Sequence, residues 1–267
     1  MIKYVIIIIC IYLILVNFTD IFENYNVIYK DHISRLNNIN RIVRKGIYEV
    51  KKGNKKIINW IINLITNTGC NVIVNDNIYH ADPRVEFNYS HTIQDKIILS
   101  DRDYKSLVKY YNERDNMAIY TIGSTIVHES VHISQRYNYE KYKELYTMWG
   151  YIFVNDIKNI DILLEFKREN PDAQDNDILW GNRGRYYFIN CFYDKNNIDP
   201  YNVDCLAYEI SKTGDNYEYK GGEGIELKYF NEYNNYFGRL GNNYTPNEIC
   251  AEYEEMYFME CLTNNKL

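Results

Sequence analysis

Proline is scarce in this sequence, and the cysteine spacings that mark small metal or disulfide scaffolds are missing. The chain has 4 prolines and 13 glycines among 267 residues, which does not suit a collagen-like or proline-rich low-complexity protein. Its six cysteines are irregularly spaced and form no CxxC pair. No disulfide framework is therefore evident, and Cys191 with Cys205 is the only pairing that we single out. With 46% hydrophobic and 25% charged residues, the composition is that of a folded globular protein.

A uniformly basic surface is also missing. The formal net charge is −6, and it is unevenly distributed. Residues 21–66 hold nine basic and three acidic residues, a net charge of +6, which leaves −12 for residues 67–267 because residues 1–20 are neutral overall. An acidic main domain does not suit a nucleic-acid-binding protein, so we expect no nucleic-acid partner. The basic stretch is typical of a solvated helix face, or of a segment that contacts anionic lipid or an acidic partner.

No uninterrupted apolar run reaches the roughly 18–20 residues that a membrane-spanning helix needs. The run YVIIIICIYLILV covers 13 residues, from Tyr4 to Val16. This length fits the core of a secretory signal, but no small-residue cleavage site follows it. Extended to Phe22, the segment approaches the length of a signal-anchor. We therefore predict that residues 1–22 are a signal-anchor or a signal peptide, and that the protein is membrane-anchored or secreted.

The hydrophobic periodicity predicts an α+β protein. Residues 23–66 form a basic helical segment that serves as a stalk, a cover over the site or a subdomain, and residues 67–267 form the main domain. Strands are predicted at 71–75, 96–100 and 185–192, helices at 117–137, 139–153 and 246–262, and a loop at 219–244.

An H-E-x-x-H motif carries the strongest chemical signal, and it consists of His128, Glu129 and His132. Two histidines four residues apart lie on one face of a helix, so both imidazoles can reach one Zn²⁺. The glutamate between them can act as general base on a water at the metal. The neighbouring residues are uncharged and mostly apolar, and no proline interrupts the helix.

A catalytic zinc site needs a third protein ligand. The metzincin pattern is excluded because Gln135 and Asn138 stand where a glycine and a histidine are required. Tyr151 and Ile152 occupy the neighbourhood, about twenty residues downstream, in which a thermolysin-like glutamate would lie. The remaining candidates are Glu165, Glu169 and the helix that begins near Thr245, with Glu248 and Glu252.

The combination of HExxH with Glu248-Ile-Cys-Ala251-Glu252, an E-x-x-A-[D/E] motif, resembles the gluzincin zinc metallopeptidases, particularly the membrane-associated prenyl-protease type. The resemblance implies a zincin-like domain with an active-site helix and a small sheet. It also implies that Glu248 is the third ligand of one Zn²⁺. Glu252, on the same helix face, would then hydrogen-bond a ligand imidazole. The resemblance is confined to these two short motifs and does not include a multi-span membrane architecture.

Glu248 has an alternative interpretation as a helix cap. Thr245 as N-cap, Pro246 at the first position and Glu248 at the third form a capping box. In that case Glu252 or Glu165 would be the third ligand.

From these motifs we predict a zinc-dependent metallopeptidase that acts on a peptide or protein substrate, with Glu129 as catalytic base. One alternative is a non-catalytic, zinc-stabilised membrane or virion interaction protein, and another is a hydrolase of non-peptide amides. The 29 tyrosines, together with abundant asparagine and isoleucine, come from AT-rich codons. They favour an AT-rich microbe or a large DNA virus. If the protein is viral, a host membrane or the virion is the expected location.

Overall fold

The computed structural model describes residues 50–83, 85–164, 172, 177–181, 184–192, 203–238 and 244–264. In these residues the protein is α+β, as the sequence predicts. The α-helices are α1 (Lys55–Thr66), α2 (Asp101–Glu113), α3 (Ser124–Tyr137), α4 (Tyr139–Met148), α5 (Asp161–Leu164), α6 (Asn231–Phe237) and α7 (Pro246–Asn264). The strands are β1 (Val50–Lys52), β2 (Ile78–Ala81), β3 (His91–Ile93), β4 (Lys96–Leu99), β5 (Tyr151–Val154), β6 (Ile157–Lys158), β7 (Asp177–Trp180), β8 (Tyr186–Phe192), β9 (Val203–Glu209), β10 (Ser211–Thr213), β11 (Asn216–Glu218) and β12 (Ile225–Glu226).

A four-stranded sheet lies beside the helix that carries the HExxH motif. Its strand order is β1-β2-β4-β3, with β2 and β4 parallel and the two outer pairs antiparallel. The strands β3 and β4 both contact α3. Ile97 and Leu99 of β4 are fully buried in one apolar cluster with Ile126 and Val127 of α3. The sheet therefore packs against the apolar face of α3.

The other two sheets extend the domain away from this core. The five-stranded sheet is antiparallel throughout, with strand order β12-β9-β8-β7-β5. Trp180, Phe188, Phe230 and Tyr233 pack between this sheet, α4, α6 and α7. The third sheet, in the order β10-β11-β6, is small.

The first helical segment belongs to the same core as the HExxH helix. The buried residues Ile57, Ile61 and Ile65 of α1 share an apolar cluster with Ile126 of α3, and β1 pairs with β2. A boundary between residues 66 and 67 would divide this core. The folded unit therefore includes the described part of the predicted basic segment, from Val50 onward. The role of residues 23–66 as a stalk, a cover or a subdomain stays a prediction.

Some element predictions are wrong for identifiable reasons. The segment 71–75 is not a strand, because Val72 and Val74 pack on the helical core and the Asn75 amide donates to Ser130 Oγ at 2.8 Å instead of to a neighbouring strand. Helix α4 ends at Met148, since Gly150 adopts a left-handed φ of 85° and the chain turns into β5. Part of the predicted loop 219–244 is the helix α6.

The structure also contains a disulfide that the sequence did not indicate. Cys70, four residues after α1, is bonded to Cys261 near the end of α7, with Cα atoms 6.1 Å apart. The register of β8 with β9 places Cys205 opposite Asn190 and Cys191 opposite Asp204. Cys191 and Cys205, the pairing singled out from the sequence, are thus not directly opposed in these two strands.

The predicted signal segment, residues 1–22, lies outside the described residues, as does the basic segment up to Glu49. Among the helices that the structure describes, none combines the length and the apolar character needed to cross a membrane.

Candidate metal centre

Helix α3 brings His128 and His132 together on one face. It follows a π-helical turn (Ile119–Gly123) and runs uninterrupted to Tyr137. The two imidazole rings are edge to face, with centroids 5.0 Å apart. His132 is 1% exposed, and the side chain of His128 is 14% exposed. The spacing of four residues thus places both rings at one point of the molecule, with His128 on the more accessible side.

Glu248, in the first turn of α7, faces both imidazoles. Its Oε2 lies 3.5 Å from His128 Nε2, and its Oε1 lies 3.8 Å from His132 Nε2. One ligand atom from each of the three residues lies within 4.8 Å of the others. Ligand atoms of a tetrahedral zinc are about 3.4 Å from one another, given bonds of about 2.1 Å. The three side chains therefore have the spacing and the N₂O donor set that a zinc ion takes.

The capping and metal-facing interpretations of Glu248 are compatible. The backbone N–H of Glu248 donates to Thr245 Oγ1 at 3.3 Å, which caps the helix. Because this bond uses the backbone, the carboxylate can face the histidines at the same time. Glu165 and Glu169, the other downstream candidates, lie outside the described residues.

Each imidazole has a hydrogen-bond partner at Nδ1, in addition to Glu248 near its Nε2. The Glu255 carboxylate lies 3.2 Å from His128 Nδ1, and Gln135 Oε1 lies 2.9 Å from His132 Nδ1. The acid at His128 Nδ1 is therefore Glu255, which is three residues beyond Glu252, the residue that we predicted for this role. Positions 252 and 255 both follow Glu248 on the same side of α7, and periodicity alone does not separate them.

Glu129 lies next to this group and is buried. The residue is 5% exposed, and its Oε2 has no hydrogen-bond partner. A carboxylate oxygen of Glu129, a ring nitrogen of His132 and a carboxylate oxygen of Asp172 lie within 4.8 Å of one another. A buried carboxylate oxygen without a hydrogen-bond partner lowers the stability of the fold. Such a group therefore favours a functional role for Glu129. The general base predicted from the motif is thus positioned beside the candidate ligands.

Asp172 was missed by the sequence analysis, although it is buried beside Glu129. Its Oδ1 accepts the Thr92 backbone N–H at 2.7 Å and the Thr92 hydroxyl proton. The same oxygen lies 3.5 Å from Arg136 NH2 on α3. These contacts connect the edge strand β3 to the HExxH helix. No motif or periodicity around position 172 could have identified this residue, because every partner is distant in sequence.

The carboxylates make this region favourable for a cation. Burial opposes protonation of His128, but hydrogen bonds with the carboxylates of Glu248 and Glu255 raise its pKa well above its ordinary value. Burial, and then the nearby Asp172 carboxylate, raise the pKa of Glu129 well above its ordinary value. Burial thus acts in opposite directions on the two groups, because it disfavours the charged form of each. The neighbouring carboxylates raise both pKa values, and a proton or a metal cation offsets their negative charge.

Comparison with known proteins yields no family model that matches this chain, and no curated protein or solved structure is significantly similar to it. The chemical interpretation of the centre therefore depends on the residues and their geometry.

Proposed function

We propose that this protein is a zinc-dependent metallopeptidase of the gluzincin type, with His128, His132 and Glu248 as the metal ligands and Glu129 as the general base. The observation that carries the proposal is the convergence of two imidazole Nε2 atoms and one carboxylate at 3.5 and 3.8 Å. A helix packed on a small sheet supports a zincin-like arrangement of the domain.

The donor set fits a catalytic zinc better than a structural one. Structural zinc sites have four protein ligands and are rich in cysteine, whereas catalytic sites have three protein ligands and leave a position open. Here three residues form the group, and the second candidate group among the described residues shares only His132 with it. Bound zinc would supply a Lewis acid and would lower the pKa of a coordinated water to about 7.

The protein's own residues provide the proton transfers. Glu129 is close enough to the ligands to accept a proton from the attacking water, and its buried Oε2 is free to do so. It then donates this proton to the departing amine, so that the amide C–N bond breaks with a neutral leaving group. Glu255 and Gln135 accept hydrogen bonds from the Nδ1 atoms of His128 and His132, which keeps both imidazoles oriented with Nε2 toward the metal position.

The disulfide is relevant to the proposed location. Disulfides such as Cys70–Cys261 persist in oxidising compartments and are rare in the cytosol. This supports the proposal that the protein is membrane-anchored or secreted through residues 1–22, with a peptide or protein substrate on the same side.

Metal content and cleavage, measured on the full chain, test the function. We expect about one zinc per chain in the wild type. His132→Ala and Glu248→Ala should lose it, whereas Glu129→Gln should keep it and lose cleavage of a peptide library monitored by mass spectrometry. Glu260→Ala, at an exposed position on the same helix as Glu248, is the matched control and should behave as wild type.

Other outcomes would redirect the interpretation. A wild-type protein without zinc would overturn the metal centre. Zinc that is retained in Glu248→Ala would leave Glu248 only its capping role. A zinc-loaded wild type without cleavage activity, and with unchanged stability in Glu129→Gln, would favour the non-catalytic interaction protein.

A further inference from the structure

We propose that Gln135 is a positioning residue that holds two of the three metal ligands at once. It fixes the tautomer of His132, and it connects His132 to the residue immediately before Glu248. The inference rests on the proposed function, because it assigns a role in building the same metal centre.

Gln135 lies one turn after His132 on α3 and is 2% exposed. Its side-chain oxygen Oε1 is 2.9 Å from His132 Nδ1. Its side-chain nitrogen Nε2 donates to the backbone carbonyl of Asn247 at 2.9 Å. One buried amide thus bridges the helix that carries the histidines and the helix that carries Glu248.

The orientation of this amide follows from hydrogen-bond chemistry. A backbone carbonyl can only accept a hydrogen bond, so the NH₂ group of Gln135 must face Asn247. The amide oxygen of Gln135 must then face His132, and because this oxygen can only accept, His132 Nδ1 carries the proton. The lone pair of the neutral imidazole is consequently on Nε2, the atom that faces Glu248 at 3.8 Å. The carbonyl of Asn247 therefore determines, through Gln135, which nitrogen of His132 is available to a metal.

The choice of a neutral amide at this position also has an electrostatic reason. Glu129, Asp172 and Glu248 already place three carboxylates in buried positions around His132. A fourth buried carboxylate at position 135 would have no donor from Asn247 and would face a carbonyl oxygen. His128 has a carboxylate partner, Glu255, whose side chain is 34% exposed and can be solvated. The fully buried His132 is thus held by a neutral amide, and the more exposed His128 is held by a carboxylate.

Two substitutions of Gln135 separate positioning from packing. Gln135→Glu keeps an acceptor for His132 Nδ1 but loses the donor to Asn247, whereas Gln135→Met keeps the length of the side chain and loses both bonds. We expect Gln135→Met to lower zinc affinity about 10- to 100-fold, measured by chelator competition at pH 7.5. Gln135→Glu keeps the bond to His132 and loses only the connection to Asn247, so it should lose less zinc affinity than Gln135→Met. Its metal-free form should unfold at a lower temperature than the wild type.

The matched control is Tyr142→Phe. The Tyr142 hydroxyl donates to Ser134 Oγ at 3.1 Å, so this change removes a hydrogen bond to the same helix without touching a ligand. Its zinc affinity should equal that of the wild type. If Gln135 only packs the two helices, the order of the variants reverses, with Gln135→Glu the weaker zinc binder and Gln135→Met close to wild type. That order would overturn the inference.

A second measurement distinguishes failure of this inference from failure of the proposed function. Long-range ¹H–¹⁵N NMR of histidine side chains reports the tautomer of His132 in the metal-free protein. The wild type should show a proton on Nδ1, and Gln135→Met should shift His132 toward the Nε2–H form. A shift of this kind in a protein that takes up no zinc would remove the proposed function and leave Gln135 as the residue that sets the tautomer. An unchanged tautomer in Gln135→Met would overturn the role of Gln135 whatever the zinc content.

Discussion

At the scale of single residues, Glu248 combines two functions that sequence reasoning treats as alternatives. The backbone N–H is part of a helix cap with Thr245, and the carboxylate faces His128 and His132. A residue in the first turn of a helix can do both, because capping here uses the backbone and metal binding uses the side chain. The fixed start of the helix also holds the carboxylate in place.

Substitutions at Thr245 and Glu248 should separate these two functions. Thr245→Ala removes the acceptor of the cap and should lower the free energy of unfolding by about 1 kcal/mol while zinc stoichiometry stays at the wild-type level. Glu248→Gln keeps the backbone bond and the side-chain length, but it loses the charged ligand and should abolish zinc binding. Urea unfolding and metal analysis check the two effects. Zinc loss in Thr245→Ala together with zinc retention in Glu248→Gln would contradict this assignment.

The candidate ligands could be predicted from the sequence, whereas most of their supporting residues could not. His128, Glu129 and His132 follow from a local spacing of four residues, and Glu248 follows from a second short motif. Asp172, Gln135 and Glu255 depend on contacts between distant segments. Gln135 differs from the metzincin pattern, but nothing in the sequence indicates that its amide reaches both His132 and Asn247.

At the scale of helices and strands, local periodicity was sufficient where an element buries one face. Helix α3 and strand β4 were predicted on this basis and are present, whereas helix α7 was predicted from the start signals at Thr245 and Pro246. The segment 71–75 fails because Val72 and Val74 pack on the core without a strand beside them, a tertiary effect that the local pattern does not contain. Helix α2 was not predicted, and only Leu107 among its residues is fully buried.

Helix α1 provides a test of how far the catalytic unit extends toward the N-terminus. Ile61 is fully buried in the cluster that supports α3. Ile61→Ala should therefore lower the free energy of unfolding by about 2–5 kcal/mol, because it leaves a cavity in that cluster. Asn59→Ala, at an exposed position of the same helix, should change it by no more than about 0.5 kcal/mol.

Urea unfolding of the full chain, followed by circular dichroism, measures both variants. If Ile61→Ala were as stable as Asn59→Ala, then α1 would not be part of the core. That result would support the predicted boundary at residue 67.

At the scale of the whole molecule, the Cys70–Cys261 disulfide connects the segment after α1 to helix α7, which is far away in the sequence. Cys70 follows α1, and Cys261 lies on α7 close to Phe258 and Leu262, which are fully buried in the cluster around α3. The helix that carries Glu248 and Glu255 is thus held to the core at its far end by a covalent bond. Its near end is held by the cap at Thr245 and by the bridge from Gln135 to Asn247.

The Cys70–Cys261 disulfide should contribute substantially to the stability of the fold, because it closes a long loop of the chain. The sequence separation of Cys70 and Cys261 is 191 residues, for which the chain-entropy model gives about 5 kcal/mol. We therefore expect the double variant Cys70→Ser/Cys261→Ser to unfold at a markedly lower urea concentration than the wild type. Dithiothreitol should destabilise the wild type to a similar extent and leave the double variant unchanged, since that variant lacks the bond. If the wild type unfolded at the same urea concentration with and without the reductant, the disulfide would not hold α7 to the core.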